Sequence, residues 1–173
     1  MSAQNIILVG PMGSGKSTIG QLLASRLNRD FYDSDYYIEE KTGVDIPRIF
    51  DIEGEEGFRE RETRALQELT AKNHLVIATG GGSVMREQNR KLLKANGFII
   101  FLDTSVNQQM ARLKNDKKRP LLQTENPRAR LEKLFAERKP LYLELADLHI
   151  RTDRKFARKV ASEIIPQLPK TLI

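Results

Sequence analysis

The sequence feature that most constrains the fold is the stretch GPMGSGKST at residues 10–18. It follows the apolar run 6–9, precedes a segment with helical spacing and fits the pattern G-x-x-x-x-G-K-[ST]. Glycines allow such a loop to turn its backbone N–H groups inward, and the helix that follows adds the partial positive charge of its N-terminus. A plain glycine-rich turn explains neither the Lys16-Ser17 pair nor its spacing. The stretch is therefore predicted to be a phosphate-binding loop.

Side chains of this loop have the chemistry that a bound polyphosphate requires. Lys16 can reach the β- and γ-phosphate oxygens, and the hydroxyl of Ser17 can coordinate Mg²⁺. The remaining phosphate-binding candidates in the loop are Gly13, Ser14, Gly15 and Thr18. The sequence thus predicts a site for a nucleotide together with its metal ion.

Composition limits the other classes of protein that the chain could be. Its 173 residues suffice for one domain with a full core and are too few for two ordinary ones. The chain has no cysteine and only two histidines, so any metal should be bound by oxygen. We find no signal peptide and no bilayer-spanning run, and a cytoplasmic location is expected. The chain has a net charge of +6, but its basic residues are not interleaved with aromatic ones. This pattern favours small anions over nucleic acid as partners, and no membrane partner is expected.

Short apolar runs alternate with amphipathic segments, a pattern typical of a parallel α/β sheet. Strands are predicted at residues 5–9, 31–35, 75–78, 98–103 and 148–150. Helices are predicted at 16–27, between 36 and 69 with breaks at 42–43 and 52–59, after 83, up to about 113, from about 128 to 146 and around 160–165. Glycines at the breaks are expected to mark turns, and Pro140 is expected to bend or split its helix.

Polar residues and glycines follow the predicted strands at their carboxyl ends, where open α/β sheets bind ligands. The second strand is predicted to end in the acidic triplet 33–35, and the third runs into the glycines 80–82. Three successive glycines leave the backbone open to close approach by a ligand. The fourth strand ends in Asp103, which resembles a Walker B aspartate but fits a helix N-cap equally well. Asp33 and Asp103 are therefore competing candidates for the metal.

Six segments occur in the order expected of shikimate kinases, and the chain resembles that family over nearly its whole length. They are residues 10–18, 33–35, 54–59, 79–82, 119–122 and 138–142. The resemblance implies transfer of the ATP γ-phosphoryl group to the 3-hydroxyl of shikimate. It also implies a three-layer α/β/α P-loop kinase fold with five parallel strands in the order 2-3-1-4-5. A single domain over residues 1–173, with a mobile lid at about 114–126, is expected.

The resemblance assigns the acceptor site to residues outside the phosphate-binding loop. Asp35 would orient the nucleophilic hydroxyl and is a candidate base, and Arg59 and Arg138 would grip the shikimate carboxylate. Gly81 and Gly82 would offer backbone N–H groups. For each arginine the alternative is a solvated surface ion pair, above all for Arg59, which has glutamates close to it in sequence.

At the nucleotide end, the resemblance places Lys16 and Arg119 against the transferring phosphate, and Ser17 and Asp33 at Mg²⁺. The adenine end matches the family pattern only loosely. Its candidates are Arg112 and Lys155. A monomer is expected, with ATP and shikimate as its partners. The alternative function is that of another small-molecule kinase of the same fold, such as gluconate kinase; a guanine-nucleotide switch is disfavoured because an Asn-Lys-x-Asp pattern is missing.

Overall fold

The computed structural model describes residues 4–114 and 122–173. Its strands are β1 (Asn5–Val9), β2 (Asp30–Asp33), β3 (Leu75–Ala78), β4 (Gly97–Asp103) and β5 (Leu148–Arg151). They pair in parallel in the order β2-β3-β1-β4-β5, as predicted. Because β1 is the central strand and its two neighbours follow it in sequence, the loop after β1 lies at the crevice where ligands of such sheets bind.

Helices connect the strands and cover both faces of the sheet. They are α1 (Lys16–Arg26), α2 (Ser34–Thr42), α3 (Ile46–Thr70), α4 (Glu87–Asn96), α5 (Val106–Leu113), α6 (Pro127–Leu145) and α7 (Ala157–Ile164). Short 3₁₀ helices occur at Ser83–Met85, Ile165–Gln167 and Lys170–Leu172. None of the helices in the described ranges combines the length and the hydrophobicity needed to cross a membrane.

Strand β1 shows why the fold has three layers. Ile6 and Leu8 pack against α1 and α7, whereas Ile7 and Val9 pack against α3, α4 and α6. Successive side chains of a strand point to opposite faces, so a continuous apolar run serves two cores at once. All four side chains are fully buried.

Two of the three residues in the acidic triplet belong to a helix rather than to the end of a strand. Strand β2 ends at Asp33, and α2 begins at Ser34, so the prediction that the strand includes residues 34 and 35 is wrong. Asp33 Oδ1 accepts hydrogen bonds from the backbone N–H groups of Asp35 at 2.9 Å and Tyr36 at 3.1 Å. This N-cap starts the helix immediately and places Asp35 in its first turn.

Two of the three glycines at the predicted breaks mark interruptions. Gly43 ends α2 with φ of 72°, and Gly54 interrupts α3 with φ of 73°, as predicted. Gly57 lies inside the helix, so the prediction of a turn there is wrong. A Cβ at Gly57 would collide with the side chain of Glu53, because the kink at Gly54 brings the two residues together.

Pro140 lies inside α6, which continues as a single helix from Pro127 to Leu145, so the predicted split does not occur. A proline in a helix interior removes a hydrogen bond and costs about 3 kcal/mol. Leu134, Arg138, Tyr142 and Leu145 of α6 are buried on both sides of the proline. This packing holds the helix together across it.

Candidate active site

The phosphate-binding loop follows the central strand β1 and ends in α1. Gly13 and Gly15 have φ of 75° and 90°, in the left-handed region that favours glycine, and Gly15 is the N-cap of α1. Lys16 Nζ donates hydrogen bonds to the carbonyl oxygens of Gly10 at 2.6 Å and Pro11 at 2.9 Å. The ammonium group is thus held at the loop, beside the N-terminus of a helix, where an anion is stabilised.

One cavity joins this loop to the ends of the neighbouring strands. Its volume is about 230 Å³. It is lined by loop residues 12, 13 and 15–18 and by Asp33, Asp35, Gly80, Gly81 and Arg112, among others. The structure therefore brings the predicted phosphate-binding groups and Asp35 to the same cavity.

The two metal candidates lie in different surroundings. Ser17 Oγ donates a hydrogen bond to Asp33 Oδ2. Asp103 Oδ2 instead lies 2.8 Å from His149 Nε2 and 3.9 Å from Lys139 Nζ of α6. The geometry therefore favours Asp33 as the partner of Ser17. In the described part of the chain, no three His, Asp or Glu side chains form a metal-binding group.

The two adenine-end candidates are separated. Arg112 Nη1 donates a hydrogen bond to the carbonyl oxygen of Gly13 at 2.7 Å, and Arg112 lines the cavity. Lys155 Nζ binds Glu163 Oε2 of α7 at 2.9 Å and is not among the described residues that line the cavity. Only Arg112 is brought to the phosphate-binding loop.

The three successive glycines allow charged side chains to approach the backbone closely. A Cβ at Gly80 would lie 2.8 Å from Glu62 Oε2 and 2.9 Å from Asp35 Oδ1. A Cβ at Gly82 would lie 2.5 Å from Arg59 Nη2. A side chain at either position would therefore force these charged groups to move. The glycines therefore have a structural function here, in addition to any contact with a ligand.

Arg138 approaches the middle glycine, Gly81. A Cβ there would lie 3.4 Å from Arg138 Nη1, a tight contact. Arg59 and Arg138 are 9% and 5% exposed, so the alternative of a solvated surface ion pair is wrong for both. The structure thus collects Asp35, Arg59 and Arg138 around the glycine loop.

A fourth charged residue, Glu62, completes this cluster. Its side chain is fully buried, and its Oε1 accepts a hydrogen bond from Arg59 Nη1 at 2.9 Å. Arg59 Nη2 also lies 3.4 Å from Glu55 Oε1. Sequence reasoning missed Glu62, although its position three residues after Arg59 places both on one face of a helix.

Burial sets the protonation of the cluster. It raises the pKa of Glu62 to about 7; the charge of Arg59 acts in the opposite direction without offsetting it, and Asp35 raises the value further. Burial lowers the pKa of Arg138, whereas at Arg59 the glutamates outweigh burial and raise the pKa. An anionic ligand beside Arg138 would relieve the cost of burying that cation.

Comparison with known proteins identifies the family. The shikimate kinase family model matches residues 12–169. The shikimate kinase of Vibrio campbellii is 55% identical over 165 residues, which are 95% of this chain and 96% of that protein. The solved structure of shikimate kinase from Acinetobacter baumannii in complex with shikimate is 51% identical with a TM-score of 0.93, and the match covers 95% of this chain and 92% of that one. The chain belongs to the shikimate kinase family.

Family membership confirms the activity that the sequence predicts. Shikimate kinases transfer the γ-phosphoryl group of ATP to a hydroxyl of shikimate, in the pathway to chorismate and the aromatic amino acids, and this is the activity of the chain. The alternative rests on the fold alone. A gluconokinase from Sinorhizobium meliloti has a TM-score of 0.55 at 12% identity, with coverage of 95% of this chain and 90% of that one.

Part of the predicted shikimate kinase site lies outside the described residues. Arg119 and most of the lid expected at about 114–126 fall in residues 115–121. Leu122, the first residue described after them, is buried and packs in one cluster with Met12 of the phosphate-binding loop. The carboxyl end of the predicted lid is thus anchored beside the loop.

Tyr142 is a further residue that sequence reasoning missed. It lies four residues after Arg138, and its hydroxyl donates a hydrogen bond to the carbonyl oxygen of Gly81 at 2.5 Å. The spacing of four residues within the segment RKPLY was the available signal, because it places Arg138 and Tyr142 on one face of a helix.

Proposed function

We propose that the cavity between the phosphate-binding loop and the glycines 80–82 is where phosphate passes from ATP to the 3-hydroxyl of shikimate. The observation that carries this proposal is that Lys16 and Asp35 line the same cavity. Phosphoryl transfer requires little covalent chemistry from a protein; it requires that the donor, the nucleophile and compensating charges be held together. Lys16 supplies the charge at the phosphate, and Asp35 is the carboxylate for the acceptor hydroxyl.

In this proposal the loop binds the phosphates of ATP through its backbone. The N–H groups of Gly13, Ser14, Gly15 and Thr18 donate to phosphate oxygens. Lys16 leaves its two backbone carbonyl acceptors and donates to phosphate oxygens instead. Ser14 Oγ is buried and has no hydrogen-bond partner in the described residues, as expected of a loop whose ligand supplies further contacts. Arg112 stacks on the adenine or holds the loop beside it, and Lys155, paired with Glu163, contributes at most weakly.

Mg²⁺ is the metal that these residues fit. Ser17 Oγ and Asp33 Oδ2 form an oxygen pair at the start of α1, and oxygen is the donor that this ion prefers. When bound, Mg²⁺ supplies positive charge to the β- and γ-phosphates. Ser17 coordinates it directly, and Asp33 holds it through water. Asp33 also caps α2, so the same carboxylate fixes the helix that carries Asp35.

The acceptor is held by charge at one end and by its hydroxyls at the other. Arg59 and Arg138 bind the carboxylate of shikimate, which carries the same charge before and after transfer. Asp35 accepts a hydrogen bond from the reacting hydroxyl, orients it and takes up its proton. Gly81 and Gly82 offer their N–H groups to the substrate, and the missing side chain of Gly82 also lets Arg59 approach the loop.

Three further parts of the proposal concern the enzyme as a whole. Arg119, carried by a lid at about 114–126 that closes over the bound substrates, stabilises the transferring phosphate. The enzyme is one domain over residues 1–173 and acts as a monomer, since every group proposed here comes from one chain. It acts in the cytoplasm, where ATP is available.

The proposal is tested by measuring ADP release with shikimate, shikimate lacking its 3-hydroxyl, gluconate and nucleoside monophosphates as acceptors. Turnover should depend on Mg²⁺ and on shikimate alone. Equal turnover with the 3-deoxy compound would contradict the proposed hydroxyl, and turnover with gluconate would contradict the proposed acceptor site. Lys91→Ala, on the exposed face of α4, serves as a matched surface control for variants of Lys16.

A further inference from the structure

Tyr142 lies between two parts of the proposed acceptor site. It follows Arg138 by four residues in α6, and its side chain is fully buried. Its hydroxyl donates to the carbonyl oxygen of Gly81 at 2.5 Å. The Arg138 guanidinium approaches the same glycine, since a Cβ at Gly81 would lie 3.4 Å from Arg138 Nη1. The hydroxyl is thus bonded to the glycine loop after β3 at the point where the guanidinium of α6 lies against that loop.

The position of the Tyr142 ring is set by the sheet. It stacks on Phe101 of β4 with ring centres 5.0 Å apart and an interplanar angle of 26°. Phe101 is fully buried and also stacks on His149 of β5 at 4.9 Å. The ring therefore has a fixed support that does not depend on Arg138.

Arg138 has few other groups to orient it. In residues 4–114 and 122–173, no carboxylate forms an ion pair with Arg138, and its Nε has no hydrogen-bond partner. Arg59, in contrast, is held by Glu62 at 2.9 Å and Glu55 at 3.4 Å. The two guanidinium groups are thus held by different means.

We infer that Tyr142 is a positioning residue for the acceptor, whose hydroxyl fixes the Gly81 peptide against the Arg138 guanidinium so that both face shikimate. The inference rests on the proposed role of Arg138 in binding the substrate carboxylate. A guanidinium binds a carboxylate at two points only when its plane is correctly oriented. Burial raises the pKa of Tyr142 to about 12, so the hydroxyl keeps the proton that it donates to Gly81 throughout the physiological range.

The test is Tyr142→Phe, which keeps the ring and its stacking and removes only the hydroxyl. We expect KM for shikimate to rise roughly 10-fold, because the Gly81 peptide loses its hydrogen bond and the guanidinium beside it loses that support, while kcat and KM for ATP stay within about twofold. The matched control is Tyr37→Phe, which removes a hydroxyl bound to Glu68 at 2.5 Å on the exterior and should leave all three constants unchanged. A lower Tm with an unchanged KM for shikimate would show a merely structural role and overturn the inference.

Arg138→Ala, alone and combined with Tyr142→Phe, separates the inference from the proposal beneath it. If Tyr142 acts through Arg138, adding Tyr142→Phe to Arg138→Ala should change KM for shikimate by less than about twofold. A full 10-fold further rise would contradict the inference. If KM for shikimate is unchanged in Tyr142→Phe but raised in Arg138→Ala, the inference is contradicted, while the proposed binding of the carboxylate by Arg138 is supported. An unchanged KM in Arg138→Ala itself would contradict the grip and the inference together.

Discussion

The nucleotide end and the acceptor end of the cavity are built in opposite ways. Residues 10–18 form the nucleotide end as one continuous loop, whose backbone and helix N-terminus provide dipoles for an anion. At the acceptor end, Asp35 of α2 lines the cavity together with Gly80 and Gly81. The charged side chains of Arg59 and Glu62 from α3 and of Arg138 from α6 are not among the described lining residues but lie buried around the same glycine loop. The first end stabilises charge with groups that are already ordered, whereas the second holds unequal charges that a substrate carboxylate would help to balance.

This difference separates what each end controls. Phosphate charge changes during transfer, so groups at the loop are felt in the transition state. The substrate carboxylate does not change its charge, so the arginines proposed to bind it should affect the affinity for shikimate rather than the rate of transfer. Substitutions at the loop should therefore reduce turnover, and substitutions among the buried charges should alter acceptor affinity or the pH dependence of folding.

The largest effect is expected for Lys16→Ala. The ammonium faces phosphate oxygens in our account and contacts two backbone carbonyls in the structure, so its loss should lower kcat by about 10³ or more and leave the fold intact. Steady-state kinetics measure kcat and thermal unfolding measures whether the fold is intact, with Lys91→Ala as the control. Near-normal turnover in Lys16→Ala would contradict the claim that the loop controls turnover whereas the acceptor end controls binding.

Glu62→Gln tests whether the acceptor end stores an unbalanced charge. The carboxyl of Glu62 titrates near 7 in the folded chain and near its ordinary 4.5 when unfolded, so the folded state holds an extra proton between these values. The free energy of unfolding should therefore fall as pH rises from about 4.5 to 7, by about 3 kcal/mol, and be largest below 4.5 for this group. In Glu62→Gln this fall should disappear.

Urea unfolding at pH 5 and pH 8 measures the Glu62 effect. The control is Glu87→Gln on the exposed surface of α4, which should keep the wild-type difference. The quantity compared is the difference in the free energy of unfolding between the two pH values. The absolute stability of Glu62→Gln also shifts, because the ion pair between Glu62 and Arg59 is lost. If the free energy of unfolding depends on pH equally in Glu62→Gln and the wild type, the pH dependence does not come from the Glu62 carboxyl.

A smaller effect is expected for Ser17→Ala. In the proposed site its hydroxyl is one of several groups that would hold Mg²⁺, the others being phosphate, water and, through water, Asp33. The Mg²⁺ concentration for half-maximal rate should rise by about 10-fold, which corresponds to about 1.4 kcal/mol, with KM for shikimate unchanged. Titration of the rate with Mg²⁺ at saturating ATP and shikimate measures this shift. An unchanged Mg²⁺ requirement would show that the hydroxyl is not a ligand.

The two ends also differ in how far sequence could predict them. Strand β1, the phosphate-binding loop and the start of α1 follow from local patterns, because loop geometry depends on glycines that are adjacent in sequence. The role of Asp33 as a helix cap and the continuation of α6 through Pro140 depended on hydrogen bonding and packing that periodicity does not report. At Pro140 tertiary packing overrode helix propensity, whereas at Asp33 a local capping preference ended the strand earlier than predicted.

At the acceptor end, the family pattern predicted Arg59 and Arg138 but not what holds them. Glu62 is one glutamate among several in α3, and only burial distinguishes it from Glu60, which is exposed and pairs with Arg86. Tyr142 is an ordinary core aromatic in sequence. Both roles depend on atoms that meet across elements distant in the chain, which a single sequence cannot show.

The central claim is that Asp35 acts on the reacting hydroxyl while the arginines only bind, and one comparison tests it most directly. Asp35→Asn and Arg138→Lys are measured side by side at saturating ATP with shikimate varied. Asp35→Asn should lower kcat by about 10² or more even at saturating shikimate, because positioning of the hydroxyl is felt in the transition state. Arg138→Lys should raise KM for shikimate roughly 10-fold to 150-fold with kcat little changed. An Asp35→Asn enzyme with unchanged kcat and only a raised KM would contradict the account.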